Sequence, residues 1–364
     1  MADHSRDPFY MMELQGIFTK EQTERLLAWY RSERRMLPWR ADRDPYRIWL
    51  SEIMLQQTRV EAVKPYFERF LETCPSIFDL AELDEERLMK LWEGLGYYSR
   101  ARNLQKAARE VVKRYGGRMP SDYASLLSLS GIGEYTAGAI ASIAFDVRVP
   151  AVDGNVLRVL SRLSGSHADI ADPTTKKQYR EALLPLIPPS AGDFNQALIE
   201  LGATVCVPNG EARCALCPMK DVCIAAKDGL TDILPVRSAK RPRRTVQLTV
   251  LIIRDGDRTV LHKRPQKGLL AGLYELPNLD GWVDETDLPQ RVRDMGFDPL
   301  RVERLEDAKH IFTHVEWHMH AFSVTVTPEF DGMHGNDGLL LVQNDDLHRD
   351  YAIPSAFSAY TKYL

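Results

Sequence analysis

Residues 129–140 read LSGIGEYTAGAI, which is typical of a tight glycine turn between two helices. It follows the helical pattern DYASLLSL and opens a second apolar helix after a turn that holds Gly131 and Gly133. Glycines at such a turn let backbone amides approach an anion, and the following helix N-terminus adds partial positive charge. The pattern indicates a helix-hairpin-helix that holds a phosphate, although an ordinary αα-hairpin looks the same locally. With no preceding strand and no GK[ST], nucleotide-binding phosphate loops are excluded.

Outward from this hairpin, the apolar pattern divides the 364 residues into two regions. From about residue 18 to 230, apolar residues recur at spacings of three and four, which predicts an all-α domain over 1–230. From Thr245 onward, β-branched runs such as VQLTVLIIR alternate with turn residues, which predicts an α/β domain over 245–364. The basic and Pro-rich stretch 231–244 is typical of an exposed linker between the two domains.

The composition narrows the class of protein without identifying a partner. The 47 basic and 51 acidic residues do not by themselves suggest a polyanionic partner. Two local basic clusters, one from Arg31 to Arg43 and one from Arg237 to Arg244, are either solvated surface or contacts to an anion. No signal-peptide pattern opens the chain, and no run approaches the roughly 20 apolar residues of a membrane span, so we expect a soluble, intracellular protein.

Two carboxylates carry the expected chemistry. Glu52 in RIWLSEIMLQQT projects from a largely apolar helix face, with neighbours at helical spacing that are Ile48, Trp49, Leu55 and Gln56. Burial there would raise the pKa of the carboxyl and keep it protonated at neutral pH, as a general acid requires. A glutamate paired with a buried arginine would show the same pattern. The second carboxylate, Asp153 in VPAVDGNVLRVL, comes just before a helix.

Together these segments resemble the helix-hairpin-helix DNA glycosylase superfamily over most of residues 20–230, and WLSEIMLQQTRVEAVKPYFERF closely resembles the MutY family of adenine glycosylases. The resemblance implies that Glu52 protonates adenine and helps to activate water, while Asp153 stabilises the oxocarbenium-like sugar. Asn155 and Arg40 match further active-site residues of the family. The expected substrate is adenine mispaired with 8-oxoguanine, or with guanine, in double-stranded DNA.

Residue 135 bears on the choice between two mechanisms. Bifunctional relatives such as endonuclease III carry a Schiff-base lysine two residues after the second hairpin glycine, and this chain carries Tyr135 there. Without an amine nucleophile, we expect hydrolysis without strand cleavage, which disfavours the alternative of an endonuclease III-like activity on oxidised pyrimidines. A tyrosine lies by the reacting sugar in some MutY members, which implies a catalytic role for Tyr135.

The mispaired adenine has to leave the base stack, at a cost of about a few kcal/mol. The segment WEGLGYYSRARNL resembles the family's minor-groove segment, which implies that Tyr97 and Leu95 are wedge candidates and that Gln57 approaches the opposite strand. Gly131 and Gly133 complete the expected DNA contacts. A core aromatic beside a glycine turn would give the same local pattern at Tyr97.

Four of the five cysteines follow the spacing C-x7-C-x2-C-x5-C. Four thiolates that close a short loop bind zinc or a 4Fe-4S cluster, and the spacing alone does not separate the two. The pattern resembles the cluster loop of endonuclease III and MutY, which implies a 4Fe-4S cluster, although the first spacing is one residue longer than the usual x6. The implied ligands are Cys206, Cys214, Cys217 and Cys223, and Cys74 is expected in the core.

The run VLHKRPQKGLLAGLYELPN resembles the start of a nudix domain, yet QRVRDMGF stands where the metal-binding helix is expected. Only Asp294 matches an expected acid, so we expect a domain that binds rather than hydrolyses. A nudix nucleotide hydrolase with an accessory DNA-binding module is the alternative from another class.

MutY proteins carry such a MutT-like domain, and the matching segment HIFTHVEW implies that Phe312, Thr313 and His314 recognise 8-oxoguanine. Thr313 replaces a serine of the family and keeps the hydroxyl as donor and acceptor. The resemblance thus implies a helix-hairpin-helix glycosylase domain with an iron–sulfur loop, followed by a nudix-like domain. We expect a monomer in the bacterial cytoplasm at the nucleoid, or in the nucleus or mitochondrion of a eukaryote.

Overall fold

The computed structural model describes residues 14–239, 242–327 and 338–364. The chain divides into two compact units, a helical unit of Met1–Glu82 with Asn103–Ala239, and a sheet unit of Leu83–Arg102 with Lys240–Leu364. The predicted all-α and α/β classes are confirmed. The predicted domains were continuous in sequence, whereas the sheet unit also takes in Leu83–Arg102; the boundaries at 230 and 245 stay a prediction.

Two stretches that the sequence analysis used lie outside the described residues. They are residues 1–13 of the N-terminal pattern, and Lys240 and Arg241 of the basic linker. Within the predicted linker 231–244, Arg237 and Arg243 are exposed, whereas Leu234 is only 1% exposed and belongs to the core of the helical unit, so the exposed stretch is shorter than predicted. Across the described ranges, no helix combines the length and the apolar character that crossing a bilayer requires.

The helices before the linker begin where short polar side chains cap them. Thr19, Asp44, Asp122 and Asp153 each accept a hydrogen bond from a first-turn amide, which satisfies a donor that the helix itself leaves unpaired. In chain order the helices are α1 (Lys20–Glu33), α2 (Pro45–Leu55), α3 (Val60–Thr73), α4 (Ile77–Glu82), α5 (Glu85–Leu91), α6 (Ser99–Tyr115), α7 (Tyr123–Leu127), α8 (Glu134–Phe145), α9 (Gly154–Leu163), α10 (Pro173–Leu183), α11 (Ala191–Thr204) and α12 (Ile224–Lys227).

Helix α11 is central to the helical unit, because it packs against α1, α8 and α9, while α2 packs against α8. Two glycines permit the close approach of α11 to its neighbours. A Cβ atom at Gly192 would lie 2.7 Å from the carbonyl oxygen of Ser142 in α8, and one at Gly202 would lie 2.7 Å from Cβ of Asn155 in α9. Phe194 of α11 is fully buried in a core that α11 shares with α1 and α9. The C-terminal end of α8 and the first turn of α9 are therefore held against one helix.

In its described residues the sheet unit has the strands β1 (Arg244–Asp255), β2 (Arg258–Lys263), β3 (Tyr274–Glu275), β4 (Asn278–Asp280), β5 (Pro299–Arg304), β6 (Ala308–Ile311), β7 (Val315–Val326) and β8 (Leu339–Gln343). The main order is β3-β2-β1-β7-β5, with β4 on β1, β6 on β7 and β8 on β2. The strands β1 and β7 are parallel. The unit also holds α13 (Leu288–Asp294), α14 (Asn344–Asp350) and, in its Leu83–Arg102 segment, α5.

Both faces of this sheet are covered, which explains the unbroken apolar run in β1. Val250 and Ile252 face a core that includes Trp317 and Phe357, whereas alternate residues such as Leu251 face a second core under α13. The segment Leu83–Arg102 belongs to this unit through polar contacts at α5 and just after it. They are Glu86 with Lys263 and Tyr274, both at 2.8 Å, and Glu93 with the backbone amide of Ile353, also at 2.8 Å.

Candidate active site

Glu52 lies on α2 with its side chain turned into the helical unit, where the residue is only 9% exposed. The hydroxyl of Tyr135 donates a hydrogen bond of 2.7 Å to Oε2 of this carboxyl. Burial raises the pKa of Glu52 to about 7, and the negative charge of Asp153 adds to this, while Tyr135 and Arg40 work in the opposite direction. The predicted burial and raised pKa of Glu52 are confirmed. At neutral pH this carboxyl can both give and accept a proton.

Asp153 is the N-cap of α9, so the fold itself orients its carboxylate. Oδ1 accepts a 2.8 Å bond from the backbone amide of Val156, and Oδ2 accepts a 2.7 Å bond from Nδ2 of Asn155. Burial raises the pKa of Asp153, and these two hydrogen bonds oppose that rise because they stabilise the ionised form. The two predicted carboxylates therefore lie in one buried site, where the charge of Asp153 acts on Glu52.

Tyr135 stands in the first turn of α8, two residues after Gly133, the N-cap of that helix. Burial raises the pKa of the Tyr135 phenol well above its usual value, and the nearby charges of Glu52 and Asp153 add to the effect. The phenol therefore stays protonated and acts as a hydrogen-bond donor. No amine takes the place of a Schiff-base lysine at this position.

Arg40 reaches the same site from the 3₁₀ turn Pro38–Arg40, and a buried carboxylate holds it there. Nη2 of Arg40 donates to Oε2 of Glu200 at 2.8 Å, and Nη1 donates to the backbone oxygen of Arg35 at 3.2 Å. Sequence reasoning missed Glu200. The available signal was one acid in the apolar run ALIELGA, in a chain with an arginine-rich segment that needs partners.

For the arginine-rich segment from Arg31 to Arg43, the sequence allows two interpretations, a solvated surface or contacts to an anion. Four of its arginines form ion pairs with carboxylates of the same unit, which are Arg31 with Asp193, Arg35 and Arg40 with Glu200, and Arg43 with Asp146. A large part of its charge is therefore balanced within the protein.

A chain of hydrogen bonds connects the aspartate site with the cysteine loop. Nη2 of Arg158 donates to Oδ1 of Asn155 at 2.9 Å and to the backbone oxygen of Gly202 at 2.8 Å. Nε of Arg158 donates to the backbone oxygen of Cys206 at 2.8 Å. One turn later on α9, Nη1 of Arg162 lies 3.2 Å from Sγ of Cys206. Helix α9 thus carries Asp153 at its start and holds the loop along its length.

The four clustered cysteines line one small cavity of about 20 Å³, next to Arg162. Burial raises the pKa of Cys217 to about 12, and the three other thiols add to the rise, so the four face one another. Four sulfur donors at one place fit a zinc ion or an iron–sulfur cluster. In the parts of the chain that the structure describes, no three His, Cys, Asp or Glu side chains are drawn together tightly enough to hold a metal ion. Cys74 is fully buried, as predicted.

The two hairpin glycines have different local roles. Gly131 has a φ of 73°, and a Cβ atom there would lie 2.6 Å from Cβ of Asn103, so the fold requires glycine. Gly133 has a φ of −89°, and a Cβ atom there would meet nothing within 4 Å. The turn is fixed by Glu110, which accepts hydrogen bonds from the backbone amide and the hydroxyl of Ser130 at 3.0 and 2.6 Å. Space is therefore open in front of the first amides of α8.

Gln57 and the two wedge candidates differ in how accessible they are. Gln57 follows α2 in the left-handed region, with a φ of 60°, and is exposed. Tyr97 also has a positive φ, 46°, and is 45% exposed, whereas Leu95 is only 6% exposed. Leu95 is thus a core side chain in this structure, and insertion into DNA would require it to leave that core. Tyr97 is the accessible candidate.

The predicted lesion-recognition residues form the loop between β6 and β7. The loop closes with a 2.8 Å bond from the amide of Phe312 to the oxygen of Val315, and the Phe312 ring packs edge-on against Trp317 at 4.9 Å. Nε of Arg243 donates to the backbone oxygen of Phe312 at 3.0 Å. The hydroxyl of Thr313 contacts that of Tyr97 within the same unit. A cavity of about 650 Å³ adjoins the loop and is lined by residues 94–99, 268–271 and 310–315, among others.

Comparisons with known proteins agree with this architecture. The model of the HhH-GPD superfamily of base excision DNA repair proteins matches residues 50–189, and the NUDIX domain model matches residues 249–363. The adenine DNA glycosylase of Mus musculus is 36% identical over 360 residues, which cover 83% of this chain and 70% of that protein. The adenine DNA glycosylase of Buchnera aphidicola subsp. Schizaphis graminum is 32% identical over 300 residues, covering 81% of this chain and 84% of that protein.

Among solved structures, a thermostable thymine-DNA glycosylase superposes with a TM-score of 0.52 and 30% identity, covering 57% of this chain and 96% of that one. The fold, the matched domains and the paired carboxylates define a DNA glycosylase of the helix-hairpin-helix superfamily with a C-terminal nudix domain. By its similarity to these relatives over most of their length, the chain belongs to the adenine DNA glycosylase family.

Proposed function

We propose that the protein is a monofunctional glycosylase that hydrolyses the N-glycosidic bond of an adenine mispaired with 8-oxoguanine, or with guanine, in double-stranded DNA. The observation that carries this proposal is the buried Glu52 carboxyl, with its pKa near 7, beside an aspartate that receives N–H donors from Val156 and Asn155. An acid for the leaving base and an anion for the sugar are the two groups that this hydrolysis needs.

In the proposed reaction, protonated Glu52 gives its proton to the departing purine as the bond to the sugar carbon breaks. Ionised Asp153 stabilises the positive charge that develops on the sugar. Glu52, now ionised, accepts a proton from the water that attacks the sugar carbon, which restores the acid. Tyr135 keeps Oε2 of Glu52 oriented through its 2.7 Å hydrogen bond. Because no lysine stands at position 135, the products are free adenine and an unbroken strand with an abasic site.

We propose that the first turn of α8 binds the DNA backbone. Its amides lie at a helix N-terminus, and the open space beside Gly133 leaves room for a phosphate. Gln57 and Tyr97 are the proposed minor-groove contacts, because both are exposed at the positions that the family resemblance implies. Of these two, Tyr97 fills the gap that the extruded adenine leaves.

For the opposite base we propose recognition by the loop of Phe312, Thr313 and His314. The Thr313 hydroxyl offers a donor and an acceptor, Phe312 offers an aromatic face, and the adjoining cavity of about 650 Å³ can take a base. The sheet unit thus serves binding. In the helix where a nudix enzyme carries its metal-binding acids, Asp294 closes α13 and accepts a 2.9 Å bond from Gln290.

We further propose that Cys206, Cys214, Cys217 and Cys223 bind a 4Fe-4S cluster, whose sulfur-rich donor set the cavity provides. The bound cluster would cross-link the loop 206–223. Arg158 and Arg162 already connect this loop to α9 through Cys206. The protein is proposed to act as a monomer, in the compartment that holds the cell's DNA.

Three duplexes test substrate and mechanism together. They carry adenine opposite 8-oxoguanine, adenine opposite guanine, and an oxidised pyrimidine, and each is analysed with and without later alkali. The proposal expects breaks only after alkali and only in the adenine strand. Breaks without alkali, or a covalent adduct trapped by borohydride, would instead support the endonuclease III-like alternative. Release of phosphate from a nucleoside triphosphate with Mg²⁺ would support the nudix hydrolase.

A further inference from the structure

Glu200 is a buried carboxylate whose two oxygens are both used by arginines. The residue is fully buried on α11. Oε1 accepts from the backbone amide of Arg35 at 3.0 Å and from its Nε at 2.7 Å. Oε2 accepts from Nη2 of Arg35 at 3.0 Å and from Nη2 of Arg40 at 2.8 Å. One anion thus holds two cations, and the trio carries a net charge of about one positive unit.

The trio lies next to the proposed acid. Charged and titratable groups act on Glu52 from each side, namely Tyr135 of α8, Asp153 at the start of α9 and Arg40 of the 3₁₀ turn. From α3, Glu61 acts on Arg35. Glu200 of α11 reaches Glu52 only through Arg40. A change at Glu200 therefore alters the field at Glu52 without removing a group that touches it.

Glu200 also behaves as a fixed charge. Burial works against its ionisation, but the hydrogen bonds of Arg35 and the charge of Arg40 outweigh it and lower the pKa of Glu200 to about 2. The Arg40 guanidinium is further confined by the ring of Tyr30, whose centroid lies 5.7 Å away. Separating such a buried, hydrogen-bonded pair is unfavourable, because each charge would be left without its partner. The pair therefore keeps one geometry.

We propose that Glu200 is a positioning residue of the glycosylase, which fixes Arg40 at the acid site and balances the charge of Arg35 and Arg40 so that Glu52 keeps its proton at neutral pH. This inference rests on the proposed role of Glu52 as the acid. Without Glu200, two uncompensated cations face the site, the ionised form of Glu52 is favoured, and the acid is lost at a lower pH.

The test compares excision rates of a single turnover across a range of about pH 5.5 to 9. For Glu200→Gln, which keeps the shape and removes the charge, the alkaline limb should move down by about one pH unit, with roughly tenfold slower excision near pH 8. The matched control is Asp193→Asn on the same helix, because Asp193 pairs with Arg31, outside the trio. Its limb should stay in place.

The double variant Glu200→Gln/Arg35→Met separates charge from shape. It restores the net charge of the trio, so its alkaline limb should return toward that of the wild type. A merely structural role gives no reason for the limb to return, because the second substitution does not restore the hydrogen bond that Glu200 accepts from Arg40. An unchanged limb in Glu200→Gln, or a double variant shifted further than the single one, overturns the proposal.

If Glu200→Gln does not fold, Arg35→Met alone tests the proposal, and the expected shift of the alkaline limb is then in the opposite direction. It leaves Glu200 with one cation, so the limb should move to higher pH, and an unmoved limb overturns the proposal. Failure of this inference is distinct from failure of the proposed function. If Glu52→Gln retained normal excision, Glu52 would not be the general acid, whatever the variants at position 200 show.

Discussion

The hydroxyl of Tyr135 donates a 2.7 Å hydrogen bond to Oε2 of Glu52, so a phenol and not an amine holds one side of this buried carboxyl. This bond works against the raised pKa of Glu52, which burial sets at about 7. The pKa of this carboxyl therefore lies near neutral pH.

Excision should fall as the pH rises through about 7, because Glu52 donates a proton only in its protonated form. Glu52→Gln keeps the shape and removes the transferable proton, so base release should drop by roughly a hundredfold or more, while binding of the duplex is largely retained. Single-turnover rates and a binding titration measure both. Glu68→Gln, at an exposed carboxyl on α3, is the control. A pH-independent rate would contradict the assignment.

The same carboxyl should make folding stability depend on pH. The pKa of Glu52 is raised from 4.5 to about 7, so the folded protein keeps a proton that the unfolded chain releases. This contribution is fully present below the unfolded value and is lost as the pH rises through the folded value, an effect of about 3 kcal/mol at most. Glu52→Gln should therefore be more stable than the wild type near pH 8 but not near pH 4. Denaturant unfolding at both values measures this, and equal differences at the two would count against it.

Tyr135→Phe should move the alkaline limb of the excision profile to higher pH. The hydroxyl lowers the pKa of Glu52 by a hydrogen bond to the ionised form, and phenylalanine removes that bond at nearly the same volume. We expect a slower maximal rate, because Glu52 is less well oriented. A suitable control is Tyr66→Phe on α3, whose ring lies against Arg69 at 4.6 Å. A limb displaced to lower pH in Tyr135→Phe would be the contrary result.

The hairpin glycines should respond differently to alanine. Gly131→Ala forces a Cβ atom into a left-handed residue and to within 2.6 Å of Asn103, so it should destabilise the fold by about 1 to 3 kcal/mol. Gly133→Ala meets only open space, so stability should change by less than about 1 kcal/mol while DNA binding weakens. Thermal unfolding and a DNA titration separate the two outcomes. Equal DNA affinity for Gly133→Ala and wild type would argue against a phosphate at this turn.

Gly202→Ala should slow excision indirectly, by displacing helix α9. Its Cβ atom would lie 2.7 Å from Cβ of Asn155, so α9 has to move and take Asp153 with it. The expected cost is about 1 to 3 kcal/mol in stability, together with a loss of excision. Gly16→Ala serves as the control, because a Cβ atom there meets nothing within 4 Å. Comparable effects of the two substitutions would show that the close approach to Asn155 is unimportant.

The sequence predicted the features that depend on local residue patterns. Burial of Glu52 followed from its apolar neighbours at helical spacing, and the apolar run around Leu251 follows from a strand covered on both faces. The clamp of Arg35 and Arg40 by Glu200 did not follow, because the partners are more than 150 residues apart and no local pattern pairs them. The different burial of Leu95 and Tyr97 likewise depends on tertiary packing.

The membership of Leu83–Arg102 in the sheet unit was also outside the reach of the sequence analysis. The segment reads as one more helical stretch, and only contacts such as Glu86 with Lys263 show where it packs. The cysteine spacing, by contrast, predicted a shared site, and the four side chains line one cavity.

Because Asp153 both caps α9 and faces the site, not every inactive variant suits the capture of a DNA complex. Alanine would remove the cap together with the charge, so the start of α9 would lose its native geometry in such a complex. Asparagine caps a helix about as well as aspartate but carries no charge, so Asp153→Asn should hold the unreacted adenine in place on a native backbone. For crystallography of the bound duplex, Asp153→Asn is therefore a better choice than the alanine variant.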